Sequence, residues 1–130
     1  MLFLSRAWLA SVDEALSSSP QVAGATSETS LRLLQVVTGG PDGDVAYLVT
    51  IESGTTRVAA ATPDQVADVT LATTWDTAVG ISTGAVAPHD AFTTGRLLVR
   101  GDIEALRTQA PALADLHGAF ATVRAATTYA

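Results

Sequence analysis

The chain predicts an α+β fold: a five-stranded, mostly antiparallel sheet covered by helices. Three observations carry that expectation. Three strand-like segments follow one another between Ser30 and Ala61, separated by turn clusters. Two further strand segments, near Ala67–Thr73 and Leu97–Val99, are separated by short helical stretches. Helical periodicity brackets the whole, before Ser17 and after Asp102. Hairpins in sequence, with helices segregated around them, make a two-layer α+β domain.

The elements follow in order. Trp8, Leu9, Val12 and Leu16 recur at helical spacing, with Arg6, Asp13 and Glu14 on other faces. Ser17-Ser18-Ser19-Pro20 predicts the end of that helix, and the polar stretch to Thr29 reads as a loop. From Ser30 to Thr38, Leu31, Leu33 and Val37 share one side and Leu34 and Val36 the other, as in a two-sided strand. After the turn cluster Gly39–Asp44, Val45, Tyr47, Val49 and Ile51 alternate with their neighbours as a half-buried strand. Ser53-Gly54 signals a hairpin into a strand over Thr56–Ala61, and the fourth strand spans Ala67–Thr73. Thr74 is placed to cap a helix carrying Trp75, Ala78 and Val79 and ending near Gly84. Pro88 opens a short helical turn with Phe92 inward and Gly95 as its stop. In the fifth strand Leu97 and Val99 point one way, Arg96, Leu98 and Arg100 the other. Asp102 caps a last helix bearing Ile103, Leu106, Ala110, Leu113, Leu116, Phe120 and Val123, which Pro111 kinks or divides.

A length of 130 residues predicts one domain, 1–130, large enough for a core without staples. Charged residues make up only 15% of the chain, which points to extra buried surface or an apolar interface. The 24 alanines either pack the elements closely or leave room for a guest. Net charge is −6, with seven arginines and no lysine, which argues against nucleic acid and anionic membranes. Without cysteine there is no disulfide, thiol chemistry or cysteine-held zinc. No transmembrane stretch is present, and Met1–Leu9 lacks the basic start of a signal peptide, so a cytoplasmic protein is expected.

Motifs for chemistry are sparse. Gly80-Ile81-Ser82-Thr83-Gly84 fits the G-x-S-x-G pattern, with Asp115 and His117 following in hydrolase order. That chemistry needs the serine on a strained strand-to-helix turn, whereas Ser82 falls near a predicted helix end. A small serine hydrolase using Ser82 is therefore the remote alternative. His89 and His117 have no metal-binding spacing, and Asp42 and Asp44 lack a calcium-loop pattern. No cofactor, metal or catalytic residue is expected. Arg96 and Arg100 read as a solvated face, or as a contact for an anionic head group.

The order Asp68-Val69-Thr70, Gly84, Ala91-Phe92…Gly95 and Leu97…Val99-Arg100-Gly101-Asp102 resembles the sterol carrier protein type two family. There, "aDvt", a helix-ending glycine, "p..aF..G" and "klkvkGd" occur in that sequence. The likeness spans about Ser30 to Phe120, with arginines in place of the usual lysines. The N-terminal helix and the segment after Phe120 look idiosyncratic, and Ala130 ends no peroxisomal tripeptide.

The resemblance implies a stand-alone bacterial member: a non-enzymatic carrier with an apolar tunnel between sheet and helices. Fatty acid, acyl-CoA or a sterol-like molecule would be its ligand. On the sheet the implied lining is Leu71, Leu97 and Val99. On the short helices it is Trp75, Val79, Ile81 and Phe92, and on the last helix Leu106, Leu113, Leu116 and Phe120. Burying a 16-carbon chain gains about 13 kcal/mol at ~0.8 per methylene. Ordering removes roughly 4–15 kcal/mol of that. The alternative is an interaction module with a closed core, in which Trp8 and the N-terminal helix form a homodimer contact.

Overall fold

Ser5 turns the chain into its first helix, α1 (Arg6–Ser17), by accepting a hydrogen bond from the Trp8 amide at 3.2 Å. The computed structural model describes residues 2–41, 43–109, 111, 112, 119 and 121–129. The apolar face of α1 buries Trp8, Leu9, Val12 and Leu16, as their spacing predicts. Trp8 is 5% exposed and lies inside its own chain, so it is not available as the homodimer contact expected above.

The stretch predicted as a loop contains a short helix, α2 (Pro20–Ala25). Ser19 and Pro20, read as the stop of α1, are instead the cap and first residue of α2. The Ser19 hydroxyl accepts from the Val22 amide at 3.3 Å, and Pro20 at N1 has no amide to leave unpaired. Val22 and Thr26 are buried, and the Thr26 hydroxyl donates to the Val22 carbonyl at 2.7 Å.

The sheet comprises β1 (Ser30–Gly40), β2 (Gly43–Glu52), β3 (Thr55–Ala60), β4 (Val69–Thr74) and β5 (Leu97–Gly101). Their spatial order is β3-β2-β1-β4-β5. The β1/β2, β2/β3 and β4/β5 pairs are antiparallel and β1/β4 is parallel, so the sheet is mixed but mostly antiparallel. Leu31, Leu33 and Val37 join the main core, while Leu34 on the opposite face is also buried, in keeping with a two-sided central strand. α1 packs across β3. Asp13 there accepts two hydrogen bonds from the Arg57 guanidinium, both 2.9 Å, and one from the Val58 amide at 2.7 Å. A helix tied to an edge strand in this way blocks further strand pairing.

The residues of the sequence motif hold one end of the sheet together. The Asp68 carboxylate accepts from the Arg32 amide at 2.8 Å, fixing the start of the parallel pair. Its backbone carbonyl accepts from the Asp102 amide at 2.9 Å. Gly101, at φ +99°, lies so close that a Cβ would collide with the Asp68 carbonyl oxygen. Only glycine combines that backbone angle with that approach.

Between β4 and β5 lie α3 (Trp75–Thr83) and α4 (Pro88–Thr93). The Thr74 hydroxyl caps α3 by accepting from the Thr77 amide, and Gly84 ends it in the left-handed conformation at φ 85°. In α4 the expected inward residue is wrong: Phe92 is 48% exposed and Ala91 is wholly buried. A six-residue helix makes fewer than two turns, so periodicity does not fix which residue faces inward.

Asp102 caps α5 (Ile103–Thr108) through the Ala105 amide, as expected, but this helix stops at Gln109. The helical segment is thus divided before Pro111, one of the two outcomes expected of that proline. Ile103, expected on the inner face, is 53% exposed because the inner residues of this short helix are Ala105 and Leu106. The last described helix, α6 (Ala121–Ala125), contributes the buried Val123. Ala110, Leu113, Leu116 and Phe120 lie outside the described residues.

Candidate ligand cavity

Two adjacent rows of side chains cross the covered face of the sheet. One runs Tyr47, Gln35, Leu71, Val99, and the next runs Val45, Val37, Thr73, Leu97, each in register on neighbouring strands. Above them the elements do not close completely. A cavity of about 220 Å³ remains, floored by Gln35, Val37, Tyr47, Leu71, Thr73 and Leu97. Ala78, Ile81 and Ser82 of α3 form one side. Phe3, Leu4 and Trp8 form another, and Val123 and Arg124 of α6 complete the described wall. The space is open to solvent on one side, and its volume is below the ~300–1,000 Å³ of common small-molecule sites.

The two ends of the chain meet over this space. The Phe3 amide donates to the Thr128 carbonyl at 2.9 Å, and Leu2 bridges to Thr128 in parallel. Leu4 takes φ 63°, a left-handed angle that costs an ordinary residue roughly 1–2 kcal/mol. Its side chain is nevertheless buried, so local strain is offset by burial. The Phe3 ring sits edge-on to Trp8 with centroids 5.1 Å apart. It also lies 5.3 Å from Trp75 and 5.0 Å from Tyr129. Phe3 is therefore the centre of an aromatic cluster in the cavity wall.

Polar groups in the wall are few. Burial pushes the Tyr47 phenol well above its ordinary range, so it is neutral and keeps its proton. Ser82 Oγ and the Tyr129 hydroxyl are 2.7 Å apart. The Thr73 hydroxyl donates outward to the Arg96 carbonyl at 2.7 Å. Among the described lining residues Arg124 is the one with a charged side chain, and none is an aspartate or glutamate.

Of the residues implied as lining, Leu71, Ile81 and Leu97 line the cavity. Trp75, Val79, Val99 and Leu106 pack against the core. Phe92 faces solvent, and Leu113, Leu116 and Phe120 lie outside the described residues. Arg96 and Arg100 do not line the cavity. Both are exposed on the face that also carries Leu98, and Arg96 Nε donates to the Thr94 hydroxyl at 3.0 Å. The sequence reading missed Phe3, Leu4 and Tyr47, and above all Gln35. A signal for Gln35 was present: it interrupts the apolar row Leu31, Leu33, Val37 on the strand's core side.

The G-x-S-x-G match has no hydrolase geometry. β4 ends at Thr74 and Ser82 lies in the last turn of α3, far from any strand-to-helix elbow. Asp115 and His117 lie outside the described residues, as does the His89 side chain. Among the described residues no group of three or more potential metal-ligating side chains occurs. A larger groove, about 480 Å³, lies at the opposite end of β1, lined by Ser30, Arg32, Glu52, Asp68 and Asp102 among others. Its Asp68 and Asp102 carboxylates already hold backbone amides, and its polar wall does not suit an apolar guest.

The architecture is thus that of an α+β domain with a largely apolar cavity between sheet and helices. The chain belongs to the SCP-2 sterol transfer family, whose family model matches residues 12–114. No curated protein matches the sequence. Among solved structures, a conserved hypothetical protein from Thermus thermophilus superposes with a TM-score of 0.79 at 24% identity. That match covers 95% of this chain and 90% of the other. A sterol carrier protein 2 crystal structure gives 0.77 at 23% identity, covering 94% and 97%. The apo sterol carrier protein 2 of Yarrowia lipolytica gives 0.65 at 16%, covering 85% and 87%. At these identities the structural likeness establishes the fold. Phe3, Leu4, Trp8, Val123 and Arg124 of the cavity wall lie outside the residues that the family model matches.

Proposed function

We propose that this protein is a non-catalytic carrier that holds one small lipid-like molecule in the cavity between sheet and helices. The observation that carries this reading is the incompletely filled space of about 220 Å³ at the junction of Leu71, Ile81, Leu97 and Val123. The space is open to solvent on one side and its wall is mostly apolar, which suits the hydrocarbon part of a guest. Membership of a sterol transfer family supports lipid binding or transfer in general. Among the described residues, Ser82 has a phenol as its hydrogen-bond partner and not a general base, which favours binding over bond-making.

The test is uptake of a fluorescent fatty acid, cis-parinaric acid, by purified delipidated protein, with native mass spectrometry of freshly purified material. Saturable uptake at one molecule per chain and co-purifying lipid are expected. Absence of both would reject the carrier reading. Labelling by an alkyl fluorophosphonate that vanishes in Ser82→Ala would replace it with the hydrolase.

A further inference from the structure

We infer that the β5 edge of the sheet is a homodimer interface, where β5 pairs antiparallel with β5 of a second copy about a two-fold axis at Val99. The inference does not depend on what the cavity holds.

The two edges of the sheet differ. At β3 the α1 helix lies alongside, and the Asp13 carboxylate accepts from the Val58 amide at 2.7 Å. β5 is the other edge, and among the described residues no strand lies beyond it. The Asp102 amide donates to the Asp68 carbonyl, which continues the β4/β5 register by one residue. In an antiparallel ladder the residues bonded to one neighbour alternate along the strand. The backbone groups of Asp102, Arg100 and Leu98 therefore face β4, while those of Val99 and Leu97 aim outward. Among the described residues no hydrogen bond from another element reaches these two. Unpaired groups on a strand edge are a template for another strand.

Exposed apolar side chains gather at the same edge. Four large ones are exposed among the described residues, and three of them are Phe92, Leu98 and Ile103. Phe92 lies on α4 just before β5, Leu98 at mid-strand, and Ile103 opens α5 just after it. A single exposed hydrophobic is ordinary, but three on consecutive elements beside an open edge mark a contact surface.

Charge selects the occupant and the register. An axis at Leu98 would set Arg96 against Arg100 of the second copy, twice, and like charges directly opposite are destabilising. An axis at Val99 sets Arg96 against Asp102 of the second copy, twice, and Leu98 against Arg100. Arg96 uses Nε on the Thr94 hydroxyl, and Asp102 uses Oδ1 on the Ala105 amide. The guanidinium has further donors and the carboxylate a second oxygen, so each has atoms left for the other. The methylene stem of Arg100 can cover Leu98. The same axis brings the Phe92 end of one strand to the Ile103 end of the other, and Val99 exchanges two backbone bonds with its counterpart. One patch is thus complementary to itself, as a two-fold dimer requires.

The experiment is sedimentation velocity of the full chain between ~5 and ~500 µM, the range suited to a short interface. It is repeated on Leu98→Arg, Arg96→Asp and a control, Ala59→Lys, exposed on the opposite edge strand. Circular dichroism melts report folding. A monomer–dimer equilibrium is expected. Leu98→Arg and Arg96→Asp should each weaken it at least tenfold, and Ala59→Lys should leave it unchanged. Register is read by oxidation, since the chain has no cysteine. Opposed residues that exchange no backbone bonds have Cα atoms about 4.5 Å apart, within disulfide reach. A mixture of Leu98→Cys and Arg100→Cys chains should therefore form the mixed disulfide faster than Leu98→Cys links to itself. Faster self-linkage overturns the Val99 axis. A monomer at every concentration, or a dimer undiminished in folded Leu98→Arg, overturns the interface. A monomer that instead cosediments with phosphatidylglycerol vesicles, and no longer does so as Leu98→Arg, overturns the second copy and gives the edge to a lipid surface.

Discussion

Ser82 Oγ and the Tyr129 hydroxyl lie 2.7 Å apart, joining the last turn of α3 to the C-terminal segment across 47 residues of sequence. The bond makes Ser82 a fastening of the cavity wall. A single hydrogen bond contributes about 1 kcal/mol net. Ser82→Ala and Tyr129→Phe should each lower unfolding free energy in urea by about that amount. The double variant should cost little more than either single one, and strict additivity in that cycle would show that the two hydroxyls are not coupled.

Phe3 is buried against three aromatic rings. Phe3→Ala should cost about 3 kcal/mol or more, the range for deleting a buried phenylalanine ring. Because Phe3 touches both Trp8 and Trp75, intrinsic tryptophan fluorescence should shift in the native state. Unchanged stability and an unchanged spectrum would mean that the N-terminal clasp is not closed in solution.

Asp13 ties α1 to the sheet edge and carries a pH signature. Desolvation acts to raise its pKa, but the Arg57 and Val58 hydrogen bonds and the Arg57 charge outweigh it. The carboxyl therefore sits below its ordinary 3.8. A folded pKa below the unfolded one adds stability that is fully present above about pH 4 and disappears as pH falls through the folded value. The stability gap between wild type and Asp13→Asn should be widest near pH 7 and shrink below pH 3.8. A gap that persists unchanged at strongly acidic pH contradicts this assignment.

Gly101→Ala should be among the most damaging single substitutions, costing about 2 kcal/mol or more. The new Cβ runs into the Asp68 carbonyl oxygen, and the backbone sits at φ +99°. Equilibrium urea unfolding measures it; a cost under ~0.5 kcal/mol would mean the strand end relaxes freely.

Phe92→Ser should be close to neutral, within about 0.5 kcal/mol, because the ring is half exposed and the buried residue of its helix is Ala91. A loss of several kcal/mol would restore Phe92 to the core.

The parts of the fold that were legible in sequence were set by short-range pattern. The alternation of Val45, Tyr47, Val49 and Ile51 matches β2, and Thr74 and Gly84 bound α3 as a cap and a stop should. What was misread shared a different property. Ser19-Pro20 can end one helix or begin the next, and only the burial of Val22 and Thr26 decides for the second. Phe92 sits on a helix too short for its period to specify a face. Arg96 and Arg100, by contrast, read first as a solvated face, and both are exposed while Leu97 and Val99 take the inner face of that strand. Arg124 lines the cavity through its place on α6, which no local pattern signals.

The sequence by itself determined which segments are strands and most of the helices, and which positions along them are apolar. It also carried the Asp68-Val69-Thr70 and Val99-Arg100-Gly101-Asp102 motifs of the family resemblance, whose meeting at one end of the sheet only the structure shows. Tertiary structure alone decided that Phe3 and Leu4 fold back beside Thr128, that Tyr129 reaches Ser82, and that the space between them stays partly open. The reason is that hydrophobic burial is non-directional. An apolar period says that a side chain leaves water, but whether it fills a void or borders one depends on partners distant in the chain.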